Sequence, residues 1–182
     1  DLSSERGEYV KSFYPNVKFY SNPEDILSDE NVDAVVIATP VHTHFDLALK
    51  CLNAGKHVLV EKPMATNVDQ IDQLNKMATQ KKLTLMVGHT FIYNSAVRYI
   101  KKLIDNNTIG DIRYIYCQRL NLGRIRSDVD ALWNLAPHDV SIMQYWLNNS
   151  KPKKIYYRGN SYIQEGIDDV SFLNIYYPNN VL

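Results

Sequence analysis

The first 90 residues alternate between short apolar runs and segments with helical periodicity. The apolar runs predict strands at residues 17–21, 34–40, 57–63 and 83–89. The periodic segments between and before them predict helices at residues 3–14, 22–30, 43–55 and 67–82. Strands that are apolar throughout and separated by helices indicate a parallel sheet buried on both faces. The sequence therefore predicts a doubly wound α/β unit.

The pattern changes after residue 93. Two helices are predicted at 94–107 and 130–149, and three long strands at 112–122, 153–163 and 169–178. These strands alternate polar and apolar positions and are rich in tyrosine, which is typical of an antiparallel sheet with one solvated face. We therefore predict two domains, a dinucleotide-binding type of domain at 1–93 and an α+β domain with an open, mainly antiparallel sheet at 94–182.

Charge and composition narrow the class of protein. The 182 residues include 20 basic and 20 acidic side chains, and no basic stripe favours nucleic acid or a membrane surface as a partner. No apolar run approaches the ~20 residues that span a bilayer. Two distant cysteines form no disulfide framework, so we expect a cytoplasmic protein.

Lys62 is the first candidate for chemistry. Ligands of doubly wound sheets bind at the carboxyl ends of the strands, and Lys62 follows a strand directly and precedes Pro63. A prolyl bond can be cis, which would direct the lysine inward. An ammonium group there can donate to a substrate hydroxyl and stabilise a developing alkoxide. The other interpretation is a solvated surface lysine.

Asn134 and His138 are the next candidates, because a spacing of four residues places them on one face of a helix. Pro137 is most easily accommodated in the first turn, so we predict a helix that starts between Trp133 and Asn134, rather than one capped by Asp130. His138 could be a catalyst or a satisfied structural group.

The remaining polar residues support weaker hypotheses. His42 and His44 are close in sequence, but their spacing matches no familiar metal site, so no metal is predicted. Asp1 precedes a helix in the α/β pattern, where a carboxylate can accept hydrogen bonds from ribose hydroxyls. Its other interpretation is a frayed terminal residue.

Three motifs together resemble the glucose–fructose oxidoreductase, inositol dehydrogenase and rhizopine catabolism family, Gfo/Idh/MocA. They are VDAVVIATPVHTHFDLALKCLNAGKHVLVEKPMA, VGHTFIYN and WNLAPHD. The resemblance implies a Rossmann domain followed by an α+β substrate domain. It also implies NAD, with NADP possible, and hydride transfer to or from a hydroxyl-bearing carbon of a sugar, cyclitol or nucleotide sugar.

The resemblance also implies roles for individual residues. Lys62 matches the lysine of the EKP motif, and His138 matches the histidine on the first helix of the second domain. Asn134 stands where many members have aspartate; because an amide cannot relay a proton, we expect it to bind substrate. Thr39, Pro40 and His44 line the cofactor edge, and Glu61 orients the cofactor ribose or Lys62. Either His138 or Lys62 could be the base that takes the hydroxyl proton.

The sequence departs from the family pattern in two ways. The G-x-G-x-x-G turn is absent, and by the family pattern Asp1 falls at the end of the second strand. The chain also stops partway through the expected second sheet. We therefore expect a fragment that lacks the first βαβ unit and the C-terminal part.

The substrate is less constrained than the reaction. Arg119, Arg124 and Arg126 could bind a phosphate or carboxylate with paired donors, as in members that act on nucleotide-linked sugars, or they could be solvated. A homo-oligomer formed through the second-domain sheet is expected from the family. The alternatives are a non-catalytic nucleotide- or sugar-binding regulator, and a lyase or hydrolase that uses NAD transiently.

Overall fold

The computed structural model describes residues 1–120, 127 and 129–182. They form two units, Asp1–Val87 and Gly88–Leu182. The division lies a few residues before the boundary predicted after residue 93, and the assignment of a separate function to each domain stays a prediction.

The first unit is built on a parallel sheet, as predicted. Its strands are β1 (Ala34–Ile37), β2 (His57–Val60) and β3 (Leu85–Val87), in the order β1-β2-β3. Both neighbouring pairs are parallel, so the carboxyl ends of the three strands share one edge of the sheet. The order and direction confirm the Rossmann-type doubly wound sheet.

Four α-helices belong to this unit: α1 (Ser4–Phe13), α2 (Pro23–Ser28), α3 (His44–Asn53) and α4 (Val68–Lys81). The side chains of Ser3, Asn22 and Asn67 cap three of them by accepting hydrogen bonds from backbone N–H groups. The core lies between helices and sheet and consists of Ile37, Ala48, Cys51, Leu52, Val58, Val60, Leu74 and Ala78.

The predicted strand at 17–21 is wrong. Residues 17–20 form no ladder within the described part of the chain, although the Asp1 nitrogen donates to the Tyr20 carbonyl at 3.3 Å. An extended segment becomes a strand only when a neighbour pairs with it, and apolar composition alone does not supply that neighbour.

The second unit contains α5 (Ser95–Asp105), α6 (Ala131–Trp146) and an antiparallel pair, β4 (Lys154–Asn160) and β5 (Val170–Tyr176). This confirms the α+β pattern. The strand predicted at 112–122 is not formed over 112–120, and residues 121 and 122 lie outside the described residues. Two backbone hydrogen bonds join this segment to the last residue: the Ile115 nitrogen donates to the Leu182 carbonyl, and the Leu182 nitrogen donates to the Arg113 carbonyl.

Helix α6 begins earlier than predicted. Asp130 is the N-cap, and its carboxylate accepts a hydrogen bond from the Trp133 nitrogen at 2.8 Å. Pro137 therefore lies inside the helix, where it removes one backbone hydrogen bond. The predicted start between Trp133 and Asn134 is wrong because the Asp130 cap and the packing of α6 against its neighbours outweigh that single loss.

Among the described residues, no helix combines the length and the apolar character that a membrane span requires.

Candidate functional site

The loop after β2 carries Lys62. The Glu61 nitrogen donates to the Ile37 carbonyl at 2.9 Å, which extends the β1–β2 ladder by one bond past the last strand residue. Lys62 follows and is partly buried, and the Lys62–Pro63 peptide is cis. The structure therefore places Glu61 and Lys62 at the carboxyl edge of the sheet, where sequence reasoning expected a ligand to bind.

His44 joins this loop to the loop after β1. Its side chain is 1% exposed, with Nδ1 2.8 Å from the Pro63 carbonyl oxygen and Nε2 2.8 Å from the Thr39 carbonyl oxygen. Carbonyl oxygens only accept, so a ring nitrogen that carries a proton donates to the carbonyl it faces. Both ring nitrogens are thus occupied by the protein backbone. A role at the cofactor edge stays a prediction for His44.

Thr39 and Pro40 are exposed in the loop after β1. The Thr43 hydroxyl donates to the Pro40 carbonyl at 2.7 Å and lies 2.6 Å from the Thr39 hydroxyl. The Thr43 hydroxyl has one proton, which it donates to the Pro40 carbonyl. The Thr39 hydroxyl is therefore the donor in the bond between the two hydroxyls, and its oxygen can still accept a hydrogen bond.

Asp1 lies at the rim of a shallow cleft. One carboxylate oxygen accepts from the Ser3 nitrogen at 3.0 Å, and the residue is exposed. Arg6, Lys11 and Lys18 line the same cleft. Lys11 pairs with Glu8 at 3.2 Å and Lys18 with Asp29 at 3.6 Å, so two of these three cations already have acidic partners, which bears on the phosphate group that distinguishes NADP from NAD.

Asn134 and His138 lie one turn apart in the continuous helix α6, so they share a face as predicted. Both are partly buried. The imidazole of His138 packs against the ring of Phe91, with 4.6 Å between ring centroids and planes inclined by 58°. Phe91 belongs to a 3-10 helix, Thr90–Tyr93, that packs on α6.

Arg119 is held by an acidic partner on helix α6. Its Nε and Nη2 donate to the two carboxylate oxygens of Asp139, each at 2.8 Å. The guanidinium carbon also lies 4.9 Å from the centroid of the Phe91 ring. The Nε and Nη2 donors, which could bind a substrate phosphate, are thus directed at Asp139. Arg124 and Arg126 lie outside the described residues, so the substrate role of all three arginines stays a prediction.

Across the described residues, no group of three or more His, Cys, Asp or Glu side chains could hold a metal ion.

Two family models match the chain. Residues 1–89 match "Oxidoreductase family, NAD-binding Rossmann fold", and residues 97–182 match "GFO/IDH/MocA C-terminal domain". The two matches follow one another in the order that the resemblance implies and together account for both units.

The chain belongs to the Gfo/Idh/MocA oxidoreductase family.

Relatives within the Gfo/Idh/MocA family are similar over much of the chain. It is 32% identical over 176 residues to an inositol 2-dehydrogenase of Rhodococcus erythropolis, which covers 93% of the chain and 50% of the relative. It is 30% identical to the scyllo-inositol 2-dehydrogenase (NADP(+)) IolW of Bacillus subtilis, with 72% and 36% covered. The chain therefore spans half or less of the length of these curated relatives.

A solved Gfo/Idh/MocA structure has the same fold. The UDP-N-acetylglucosamine 3-dehydrogenase GnnA from Acidithiobacillus ferrooxidans superposes with a TM-score of 0.83 at 27% identity. The alignment covers 97% of this chain and 56% of that structure. The similarity extends across both units and supports a common architecture.

The family model implies a nicotinamide dinucleotide, and side chains of the first unit fit one. The exposed Asp1 carboxylate can accept from ribose hydroxyls, and the Thr39 hydroxyl keeps an acceptor site. Asp1, Thr39, Pro40 and Glu61 could hold the cofactor from this part of the chain. His44 could support them indirectly, because it joins the two loops that carry Thr39 and Lys62.

Sequence reasoning missed Phe91 and Asp139. Phe91 lies within the VGHTFIYN motif, and Asp139 directly follows His138, but neither position has a periodicity that marks it. Their contacts join residues that are far apart in the sequence. The one local signal was the adjacency of a carboxylate to the candidate base.

Proposed function

We propose that the protein is an NAD(P)-dependent dehydrogenase that acts on a hydroxyl-bearing carbon of a sugar, cyclitol or nucleotide sugar. The observation that carries the proposal is the position of Lys62, at the carboxyl edge of a parallel sheet in a unit that matches an NAD-binding family model. The dehydrogenases among its relatives support the substrate class.

The chain's residues divide the chemistry between them. The nicotinamide, when bound, accepts or returns the hydride. His138 takes the hydroxyl proton as the alcohol becomes a carbonyl, for which its ordinary pKa near 6.5 is suited. Lys62 donates a hydrogen bond to the reacting oxygen and offsets its negative charge. Asn134 binds a substrate hydroxyl through its amide. A desolvated lysine can also act as a base, so the two assignments need an experiment to separate them.

The test uses the full-length protein with each cofactor and a panel of myo-inositol, scyllo-inositol, UDP-N-acetylglucosamine and simple hexoses. We expect absorbance at 340 nm to rise with at least one of these alcohols. Substrate conversion without net cofactor reduction would instead support a lyase or hydrolase. Nucleotide binding with no conversion of any substrate would support a regulatory protein.

We also propose that the protein forms a homo-oligomer through the face of β4 and β5 that carries Tyr156, Phe172 and Tyr176. All three side chains are exposed in the second unit, with Phe172 64% exposed. Light scattering of the full-length protein tests this. Phe172→Glu should lower the molar mass, while Val68→Glu, an exposed position in the first unit, should not. An unchanged mass for Phe172→Glu would contradict the proposed interface.

A further inference from the structure

Four side chains of the second unit form a continuous set of contacts that ends at His138. Asp139 binds Arg119 through two parallel hydrogen bonds, the guanidinium of Arg119 lies against the ring of Phe91, and that ring packs on the imidazole of His138. Asp139 is also the next residue after His138 in α6, so its charge lies near the imidazole along the helix.

The ion pair holds Arg119 in one orientation. Its side chain is 28% exposed and that of Asp139 is 19% exposed, so water screens the pair only in part. Two parallel N–H···O bonds fix the plane of the guanidinium as well as its position. Removal of either partner would leave the other charge partly buried and uncompensated.

Phe91 connects Arg119 to His138, because its ring contacts both side chains. A guanidinium within about 6 Å of an aromatic centroid is attracted to the ring. Aromatic rings with centroids about 4.5–7 Å apart make a favourable contact. The Arg119–Phe91 distance of 4.9 Å and the Phe91–His138 distance of 4.6 Å satisfy both conditions. The ring orientation of Phe91 is therefore constrained by the same cation that binds Asp139.

We propose that Arg119 is a positioning residue for His138, which it orients through Phe91 and whose neighbouring carboxylate, Asp139, it neutralises. The proposal rests on the proposed function, in which His138 is the base. It assigns Arg119 a role inside the protein rather than a direct contact with substrate phosphate.

The electrostatic part of the proposal has a definite sign. A carboxylate next to an imidazole favours the charged imidazolium, which cannot accept a proton from the substrate. Arg119 opposes this effect. A neighbouring thiol experiences both charges: burial raises the pKa of Cys117, Asp139 raises it further, and Arg119 lowers it.

Other titratable groups on the elements packed against α6 do not replace Arg119. They are Tyr93 on the 3-10 helix and His89 before it, Arg98, Tyr99, Lys101, Lys102 and Asp105 on α5, and Tyr176 on β5. Arg98 lies over the ring of Tyr93. Lys101 pairs with Asp105 and also binds Asn148, which follows the C-terminal end of α6.

The test compares Arg119→Gln with Arg119→Lys and with Arg113→Gln in the full-length protein. Arg113 is a matched control because it belongs to the same segment and pairs with an aspartate, Asp111, while remaining exposed. The first readout is the titration of the His138 imidazole by NMR without cofactor. The second is the pH profile of kcat and KM with a substrate found in the activity panel.

We expect Arg119→Gln to move the His138 ionisation to higher pH by roughly 0.5–1 unit, because Asp139 is left uncompensated. At neutral pH kcat should fall about tenfold with little change in KM, since the misplaced base acts after binding. Arg119→Lys should restore most of the midpoint but less of the rate. Arg119→Gln combined with Asp139→Asn should return the midpoint towards that of the wild type, and Arg113→Gln should change neither readout.

An unchanged His138 midpoint in Arg119→Gln would overturn the proposal, as would a raised KM at constant kcat, which is the signature of a substrate-binding arginine. If Arg119→Gln unfolds, Asp139→Asn tests the same ion pair from its other side, because it leaves Arg119 uncompensated and should move the His138 midpoint to lower pH. Loss of the proposed function has a different signature. In that case His138→Asn keeps full activity, while the NMR titration still reports whether Arg119 controls the imidazole.

Discussion

His44 is a polar side chain buried in the first unit. Its two ring nitrogens serve as hydrogen-bonding partners for the backbone carbonyls of Thr39 and Pro63, which follow strands β1 and β2. Such a group stabilises the fold and also fixes the loop that contains Lys62. Its effect can therefore be measured as stability and separated from any direct contact with cofactor.

His44→Leu should lower the free energy of unfolding by about 2–4 kcal/mol, because the Thr39 and Pro63 carbonyl groups lose a buried hydrogen-bonding partner. Urea denaturation of the full-length protein measures the change. His42→Leu is the matched control: His42 is exposed two residues earlier, and we expect an effect within about 0.5 kcal/mol. Equal effects of the two substitutions would show that the ring contacts contribute no stability.

The pH dependence of the rate in variants of Lys62 and His138 shows which of the two residues is the base. In the direction of alcohol oxidation the wild-type rate should rise with pH through one ionisation, since the base must be free to accept a proton. His138→Asn should lose most of the turnover and that ionisation. Lys62→Ala should lower kcat by about 10²-fold or more and keep the ionisation, with a smaller effect on cofactor affinity.

The opposite pair of profiles would assign the base to Lys62. Near-normal turnover in Lys62→Ala would remove the lysine from the mechanism. A His138→Asn protein with unchanged rate and profile would leave the histidine a structural role.

At the scale of secondary structure, α6 shows how a cap and a proline compete. The sequence favoured a start between Trp133 and Asn134 because Pro137 would then occupy the first turn. The helix instead begins at Ala131, directly after its N-cap Asp130, since the carboxylate of the cap satisfies an N–H group that would otherwise lack a partner. The additional turn before Asn134 keeps Asn134 and His138 within one rigid helix.

Asp130→Ala should therefore destabilise the protein by about 1 kcal/mol, the usual value of an N-cap. Asp130→Asn keeps an acceptor oxygen at the same place and should retain most of the stability. Thermal or urea unfolding measures both variants. If Asp130→Ala left the free energy of unfolding unchanged while Asn134→Ala lowered it, the N-cap would be Asn134.

At the scale of the whole molecule, cofactor choice depends on the charges around Asp1. A carboxylate that accepts from the ribose hydroxyls repels the 2′-phosphate of NADP, whereas Arg6, Lys11 and Lys18 in the same cleft attract it. Because the proposed role of Asp1 is to accept from the ribose hydroxyls, we expect NAD to be preferred.

We expect kcat/KM for NAD to exceed that for NADP by about tenfold, which corresponds to about 1.4 kcal/mol. Asp1→Asn should reduce this preference, because it removes the negative charge and keeps a hydrogen-bonding group. The comparison is made in the full-length protein with one alcohol substrate. A clear NADP preference of the wild type would show that the cations dominate.

Much of the architecture was predictable because it follows from the local periodicity of apolar and polar residues. The parallel strands β1, β2 and β3 are short apolar runs, and the helices between them repeat at helical spacing. The segments at 17–21 and 112–122 have equally suitable composition, yet the described residues of neither form a strand. A strand depends on a partner at its side, which composition does not encode.

The sequence by itself determined the order of the elements, the place of Lys62 after a core strand and the shared helix of Asn134 and His138. Each of these depends on residues within a few positions of one another. Only the tertiary structure decided that His44 joins two loops, that Arg119 binds Asp139 and that Phe91 packs on His138. The His44–Pro63, Arg119–Asp139 and Phe91–His138 contacts join residues that are 19 or more positions apart, so their partners follow from how the chain packs rather than from its local pattern.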